Sequence, residues 1–514
     1  MMEASLLLSP EKLSLLQSLD EKQQGYFKWF LALTEIPHGT THCEQLSQKI
    51  QEWIKFFGYE PEVDSPNNIV VRIPSNSDSD LPVVALQAHI DMVLTGDIKI
   101  DEPVSVEIVE QDGSKVIRAP KSTLGADDGF GVAVMLELLE KLRKSGNSDV
   151  HQITHGPLEF IFTTDEEICL VGIRSLPPPP FLKFKYLINM DSLKGDKVYI
   201  GCCGGCGLEL KYDVKFEAVS PEKFLFLRIN LKGLHGGHSG MCINKGNANS
   251  IKWIARILSF LHENEIPYQI VKIDAGSNTK NAIPTQFDTI IAIPKELKDT
   301  CLNMVHEIHT KIMFEYFRVE CTDFFTDYIE IENPTKAASV EQSWRFTDLL
   351  MLLPNGVQRM SPQFPDTVQS SISISKCYFE NDLFEAHFYA RSSCQSQMEL
   401  ILNSLNSVLR VFGGKYELDK NNPYPAWEPK TKSNFAKIVQ NVYKEKTGND
   451  IQLGLLQVGV EPSMFNHLGY TDTEKVAICP SIPLAHAVGE WMDIEEAIKW
   501  RDVIHLTLTK LCEK

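Results

Sequence analysis

The sequence predicts an α/β domain interrupted by an α+β domain. Three observations predict it. Strand-like apolar runs alternate with helix-like segments as far as about residue 206. Longer strands with polar–apolar alternation follow as far as about residue 417, and then the first texture returns. The expected parts are therefore 1–206 and 418–514 for the first domain and 207–417 for the inserted one. A chain of 514 residues exceeds one ordinary domain in any case.

In chain order, "THCEQLSQKIQEWIKFFG" from Thr41 reads as a helix, with Thr41 and Glu44 in a capping pattern and apolar residues at helical spacing. The strands "NNIVVRIP" and "PVVALQAHIDMV" follow, separated by a polar loop. After the glycine-rich "STLGADDGFG" a helix runs through "VAVMLELLEKLRK", then come the strands "LEFIFTT" and "KYLINMD", divided by four prolines at Pro177–Pro180. Nearly continuous apolar strands alternating with helices imply a buried sheet with helices on both faces. In the inserted part, "LELKYDVKF", "TQFDTIIAIP" and "FEAHFYARSS" read as half-buried antiparallel strands. Three amphipathic helices interrupt them, "ANSIKWIARILSFLHE", "LKDTCLNMVHEIHTKIM" and "SQMELILNSLNSVLRVF". The closing α/β part holds the helix "NFAKIVQNVYKEKTG", the strand "EKVAICPSI" and a final helix from about Ile494.

Hydrophobic residues make up 43% and charged residues 23%, a globular composition, and the formal net charge is −18. That charge argues against nucleic acid or an anionic membrane as main partner. No apolar run approaches the roughly 18 residues of a membrane span. The start "MMEASLLLSPEKL" has no basic segment, so no secretory signal is expected. Twelve scattered cysteines then fit reduced thiols and a cytoplasmic location. Cys202, Cys203 and Cys206 in "GCCGGCG" read as a glycine-rich turn that carries thiols, since a thiolate zinc site would need a fourth ligand.

In open α/β sheets ligands sit beyond the carboxyl ends of the strands. At such ends this chain places His89-Ile90-Asp91, Asp165-Glu166-Glu167 and Asp191. His486 follows the last strand, and Asp127 and Asp128 precede a helix. Each has an ordinary reading: Asp127 and Asp128 suit the positive end of a helix, Glu166 and Glu167 suit a solvated loop, and His486 suits a satisfied loop residue. Together they make a hard-to-borderline metal site. His89 and Asp91, two apart on a strand, face the same way, so Asp91 can hold the imidazole while the other ring nitrogen binds metal.

The motifs "QAHIDMV", "LGADDGFGVA", "FTTDEE", "INMDS" and "GLHGGHSG", with "KNAIP", "YARSS" and "YPAWEP", resemble the cytosolic aminoacyl-histidine dipeptidases. These belong to the dinuclear zinc aminopeptidase and carboxypeptidase superfamily. The resemblance spans nearly the whole chain and implies an α/β/α zinc-peptidase domain interrupted by an α+β lid. It implies hydrolysis of dipeptides, of broad or Xaa-His specificity, by a water bridged between two zinc ions per chain, with manganese or cobalt as substitutes. On that pattern Asp127 bridges the pair, His89 and Asp191 hold one ion, and Glu167 and His486 hold the other. Glu166 is the general base and Asp91 supports His89. In the lid, His238 stabilises the oxyanion, with His235 a competitor for that role. Asn281 and Arg391 hold substrate, Arg391 being suited to a terminal carboxylate or else to a lid salt bridge. Relatives with this lid form homodimers.

Two segments depart from the family. "QVGVEPSMF" has Gln457 where a histidine is usual and Pro462-Ser463 for Cys-Gly, while Glu461 is kept. "LAHAVGE" keeps His486 among altered neighbours. These changes bear on specificity. An amidohydrolase of N-acyl amino acids, or a non-catalytic zinc-stabilised scaffold, would share the same ligands.

Overall fold

The computed structural model describes residues 2–77, 80–143, 153–276, 279–330, 336–380, 382–413, 415–418 and 423–513. The chain divides into two compact units, residues 1–202 with 427–514, and residues 203–426.

The first unit is built on an eight-stranded sheet. Its order is Pro61–Val63, Ile69–Ile73, Leu158–Thr163, Val84–His89, Tyr186–Asn189, Glu474–Ala477, Lys197–Cys202 and Gln452–Leu456. The four central strands, Leu158–Thr163 to Glu474–Ala477, run parallel. Leu158–Thr163 and Val84–His89 are buried at every position, the signature of strands covered on both faces. Helix Ala126–Lys141 packs on Val84–His89 and against helix Glu21–Thr34. Helix Asn434–Thr447 packs on Glu474–Ala477 and against Ile494–Lys510. Because the central strands are parallel, their carboxyl ends lie side by side, so four chain-distant loops open at one edge.

The expected cap at Thr41 does not form. The helix begins at Glu44, and Thr41 is left-handed (φ 67°) with its N–H donated to Asp165 Oδ1 at 2.8 Å. Asp165 thus ties two loops together. The cysteine-rich stretch is no turn either. Cys202 ends a strand, Cys206 lies inside the strand Gly204–Asp213, and all three thiols are buried. The glycines there serve close approach, since a Cβ on Gly205 would stand 2.6 Å from the Tyr424 ring.

The second unit carries a nine-stranded antiparallel sheet whose main path is Asp323–Ile329, Phe224–Lys232, Phe287–Pro294, Gln269–Gly276, Val368–Glu380, Leu383–Ser392, Gly204–Asp213 and Lys415–Leu418. Helix Ser250–Glu263 buries Ile251, Ile254, Ile257, Leu258 and Leu261 along one stripe, at the i, i+3, i+4, i+7 spacing of an amphipathic helix. Its core includes Trp253, Tyr268, Phe287 and the cluster Phe346, Phe379 and Phe384. Each such side chain contributes about 1.5–3 kcal/mol by leaving water. A further helix, Val340–Leu352, joins the three expected ones.

Candidate functional site

Beyond the carboxyl ends of the parallel strands, the first unit brings together every metal and base candidate it contains. His89 ends its strand, Asp127 opens the helix Ala126–Lys141, Glu166 and Glu167 follow Thr163, Asp191 follows Asn189, and His486 sits in the loop after the last parallel strand. Asp127 is the hinge of the arrangement. Its Oδ1 lies 3.1 Å from His89 Nε2 and its Oδ2 2.9 Å from His486 Nε2. His486 Nε2 also stands 2.9 Å from Glu167 Oε1. Ligand atoms of His89, Asp127 and Asp191 all lie within 4.8 Å of one another, as do those of Asp127, Glu167 and His486, and those of His89, Glu166 and Glu167.

The turn before Asp127 needs its glycine. Gly125 is left-handed (φ 74°), and a Cβ there would stand 2.8 Å from Met92 Sδ. His486 also takes a left-handed backbone (φ 65°). The closest partner of His89 Nδ1 is the Asp91 main-chain carbonyl at 2.9 Å, with the Asp91 carboxylate at 3.5 Å. That carboxylate accepts the N–H groups of Glu166 (3.0 Å) and Glu167 (3.4 Å), so Asp91 positions the acidic loop as well as the imidazole.

Burial pushes the carboxyls of Asp191 and Glu166 well above the ordinary range. Neighbouring acids add to it, Asp127 beside Asp191 and Asp191 beside Glu166. Glu167 is raised by burial and by Asp127. Burial would raise Asp127 too, but hydrogen bonds from His486 and His89 hold it well below the ordinary value. Burial opposes charge on His486, yet Asp127 and Glu167 raise it to about 11. Four carboxylates and two imidazoles, buried at His89, Asp127 and Asp191 and reaching the surface at His486, form a cluster with an excess of acids that favours bound cations. The donor set of carboxylate oxygens and imidazole nitrogens, with one carboxylate offering an oxygen to each side, fits a pair of divalent ions.

Sequence reasoning passed over buried Glu490 and gave no role to buried Glu461, which it noted only as a kept family residue. Glu490 gathers the backbone N–H groups of Leu124, Gly125, Ala126 and Asp127 on its carboxylate. Glu461 lies beneath the cluster, accepting from Thr163 Oγ1 at 2.7 Å and from Gln87 Nε2, and burial pushes it up to about 7. Only full burial marks them out, and a sequence does not display burial of single acids.

The second unit holds the remaining candidates. His238 pairs with Ala282 in a short two-stranded ladder, and Ser239 N–H donates to the carbonyl of exposed Asn281 at 2.8 Å. His238 Nδ1 accepts the N–H groups of Gly240 and Met241, each at 3.2 Å, which places the ring proton on Nε2. That Nε2 lies 3.2 Å from Arg391 Nη2. Arg391 is 5% exposed, lies 4.5 Å from the Tyr389 ring centre and donates to Tyr424 Oη at 2.9 Å. Its Nε has no hydrogen-bond partner, and among the described residues Arg391 forms no lid salt bridge. His235 is engaged elsewhere, its N–H and Nδ1 both meeting Glu320 Oε2.

Comparison with known proteins identifies the family. The chain is 30% identical to the cytosol non-specific dipeptidase of Escherichia coli over 473 residues, 91% of this chain and 93% of that protein. The chain belongs to the cytosol non-specific (aminoacylhistidine) dipeptidase family. It is an enzyme, a hydrolase of peptide bonds. The crystal structure of the aminoacylhistidine dipeptidase from Vibrio alginolyticus superposes with a TM-score of 0.82 at 28% identity, covering 97% of this chain and 98% of that one. The aminopeptidase PepT from Bacillus cereus shares the fold at 15% identity, with a TM-score of 0.53 over 96% and 99% of the two chains. The model for peptidase family M28 matches residues 68–202, the stretch that carries His89 to Asp191. Among the described residues, no helix is long and apolar enough to cross a membrane.

Proposed function

We propose that the chain is a cytoplasmic metal-dependent dipeptidase of broad or Xaa-His specificity. The observation that carries the reading is Asp127, whose two oxygens each face a different histidine. His89, Asp127 and Asp191 would hold one zinc ion, and Asp127, Glu167 and His486 the other, with manganese or cobalt as substitutes. When bound, such a pair polarises the scissile carbonyl and brings the pKa of water to about 7.

The chain's own groups do the rest. Glu166, with its N–H held by Asp91, takes a proton from the attacking water on its carboxylate and delivers it to the leaving amine nitrogen. Its buried setting raises its proton affinity, which suits a group that must carry the proton between the two steps. His238, with its proton on Nε2, donates to the oxygen of the tetrahedral intermediate. Arg391 receives the terminal carboxylate of the dipeptide, which satisfies a buried guanidinium that has no carboxylate partner among the described residues. Asn281 orients the substrate backbone beside them.

The test is hydrolysis of β-Ala-His, Ala-His and Gly-Leu by metal-replete protein, with and without chelator. Chelator-sensitive cleavage is expected, and the ranking reports on the altered segments around Gln457 and His486. Protein shown to hold two metals that cleaves N-acyl amino acids but no dipeptide would overturn the substrate assignment.

A further inference from the structure

Glu490 lies four residues beyond His486, is 2% exposed, and belongs to no ion pair among the described residues. Its Oε2 accepts from Leu124 N (2.9 Å) and Gly125 N (3.3 Å). Its Oε1 accepts from Ala126 N (2.9 Å) and Asp127 N (3.4 Å). Four consecutive amides therefore converge on one carboxylate, at the turn that delivers Asp127. The same short segment is pinned on its other side, where Ala119 N–H donates to the Glu490 carbonyl and Gly489 N–H to Ser122 O, each at 3.1 Å.

We propose that Glu490 is a positioning residue for the cation pair: it fixes the turn at Leu124–Asp127 relative to His486, so that Asp127 presents one oxygen to each histidine before any cation arrives. This rests on the reading of Asp127 as a shared ligand. Asp127 and Asp128 depart from helical backbone geometry, and the amides that lead into the helix have no acceptor within it. A carboxylate gathers all four amides because it is acceptor-only. An amide side chain would turn an N–H toward two of them. The competing account is a helix cap that stabilises the fold and does nothing for the metals. The two differ in what happens to metal affinity.

The experiment strips full-length protein of metal and titrates zinc back against a chromophoric chelator, for wild type, Glu490→Gln, Glu490→Ala and Ser433→Ala. Ser433 caps the helix Asn434–Thr447 in the same unit, its Oγ accepting from Ala436 N and donating to Glu474, and so controls for loss of a cap at a helix that carries none of the proposed ligands. Circular dichroism confirms folding, and melting curves are taken with and without zinc. Glu490→Gln is expected to weaken zinc binding about 10- to 100-fold and Glu490→Ala further, the usual cost of losing a group that orients a ligand. The zinc-induced rise in melting temperature shrinks in parallel, while Ser433→Ala melts lower with wild-type affinity. Wild-type affinity in a folded Glu490→Gln protein overturns the proposal. If neither Glu490 variant folds, hydrogen exchange on wild type decides. Amides 124–127 protected equally without and with zinc support the proposal, and protection gained only with zinc overturns it. Wild-type protein that binds no metal would overturn both this proposal and the dinuclear reading, whereas a failure confined to the variants' affinity touches this one alone.

Discussion

Replacing Arg391 with methionine should make the protein more stable and a worse enzyme. The guanidinium is 5% exposed and its Nε has no hydrogen-bond partner. Removing a charge of that size from water costs several kcal/mol, about 5 in round figures. The Tyr389 ring at 4.5 Å offsets about 1–2 of that, and the bond to Tyr424 Oη about 2. About 1–2 kcal/mol remains against folding, and a methionine of similar length does not incur it. In a unit of this size that corresponds to a rise of about 2–6 °C in melting temperature.

Catalysis moves the other way. Losing one partner of a buried charge pair costs about 2–4 kcal/mol, or roughly 30- to 1000-fold in kcat/KM for a dipeptide. The decisive assay compares Gly-Leu with its C-terminal amide, which lacks the carboxylate. Wild type should prefer the free acid strongly, and Arg391→Met should treat the two nearly alike. A variant that keeps the wild-type preference would show that the carboxylate is read elsewhere, and the reasoning from the unpaired guanidinium would fail.

Other consequences are equally direct. Glu166→Gln should lower kcat about 10²–10⁴-fold while metal content, measured by elemental analysis, stays at the wild-type level; metal loss in step with activity would make Glu166 a ligand. Asp127→Asn should reduce occupancy at both proposed metal positions together, because the sets His89–Asp127–Asp191 and Asp127–Glu167–His486 share Asp127. His238→Phe should slow turnover about 10²–10³-fold with little change in KM, as expected of a donor that acts on the developing oxyanion. Burial lowers Lys475 to about 7 from its ordinary 10.5, so the unfolded chain binds the extra proton and stability should rise with pH between those values, by up to about 5 kcal/mol. Denaturant titrations of Lys475→Met across that window should show the slope flattened.

The fold was legible where apolar period and strand ends coincide. Leu158–Thr163 and Val84–His89 stop within a residue or two of the acids they deliver, because an apolar run ends where the chain leaves the sheet. The amphipathic stripe of Ser250–Glu263 was equally plain. Helix Val340–Leu352 was harder, since Trp344, Phe346 and Thr347 blur its period. Its capping box at Ser339 and Gln342 was the available signal. Thr41 misled in the opposite sense: it has a capping spacing, but a tertiary bond to Asp165 holds it left-handed. The role of Glu490, and the placement of Glu461, were hidden for a different reason. Their partners are backbone amides and side chains between Gln87 and Thr163, hundreds of residues away in sequence, and no local pattern encodes such a meeting.

The charges left unbalanced in each unit bear on whether the chain is a catalyst or a scaffold. In the first unit Asp127, Asp191, Glu166 and Glu167 crowd two histidines, and burial with mutual repulsion raises three of the four acids. In the second unit Arg391 is buried among tyrosines and a histidine that is itself a donor. Replacing buried charges with well-packed apolar groups often stabilises a fold, so a protein needing only structure gains nothing from either arrangement. Each is relieved by a species the polypeptide does not supply, a cation in the first unit and an anion in the second. On the proposed function, a divalent metal and the carboxylate of a dipeptide would be those two species, and an N-acyl amino acid also carries the carboxylate. What separates the two substrates is therefore the free amine, not Arg391, and the comparison of Gly-Leu with N-acetyl-leucine isolates that difference on an unchanged metal site.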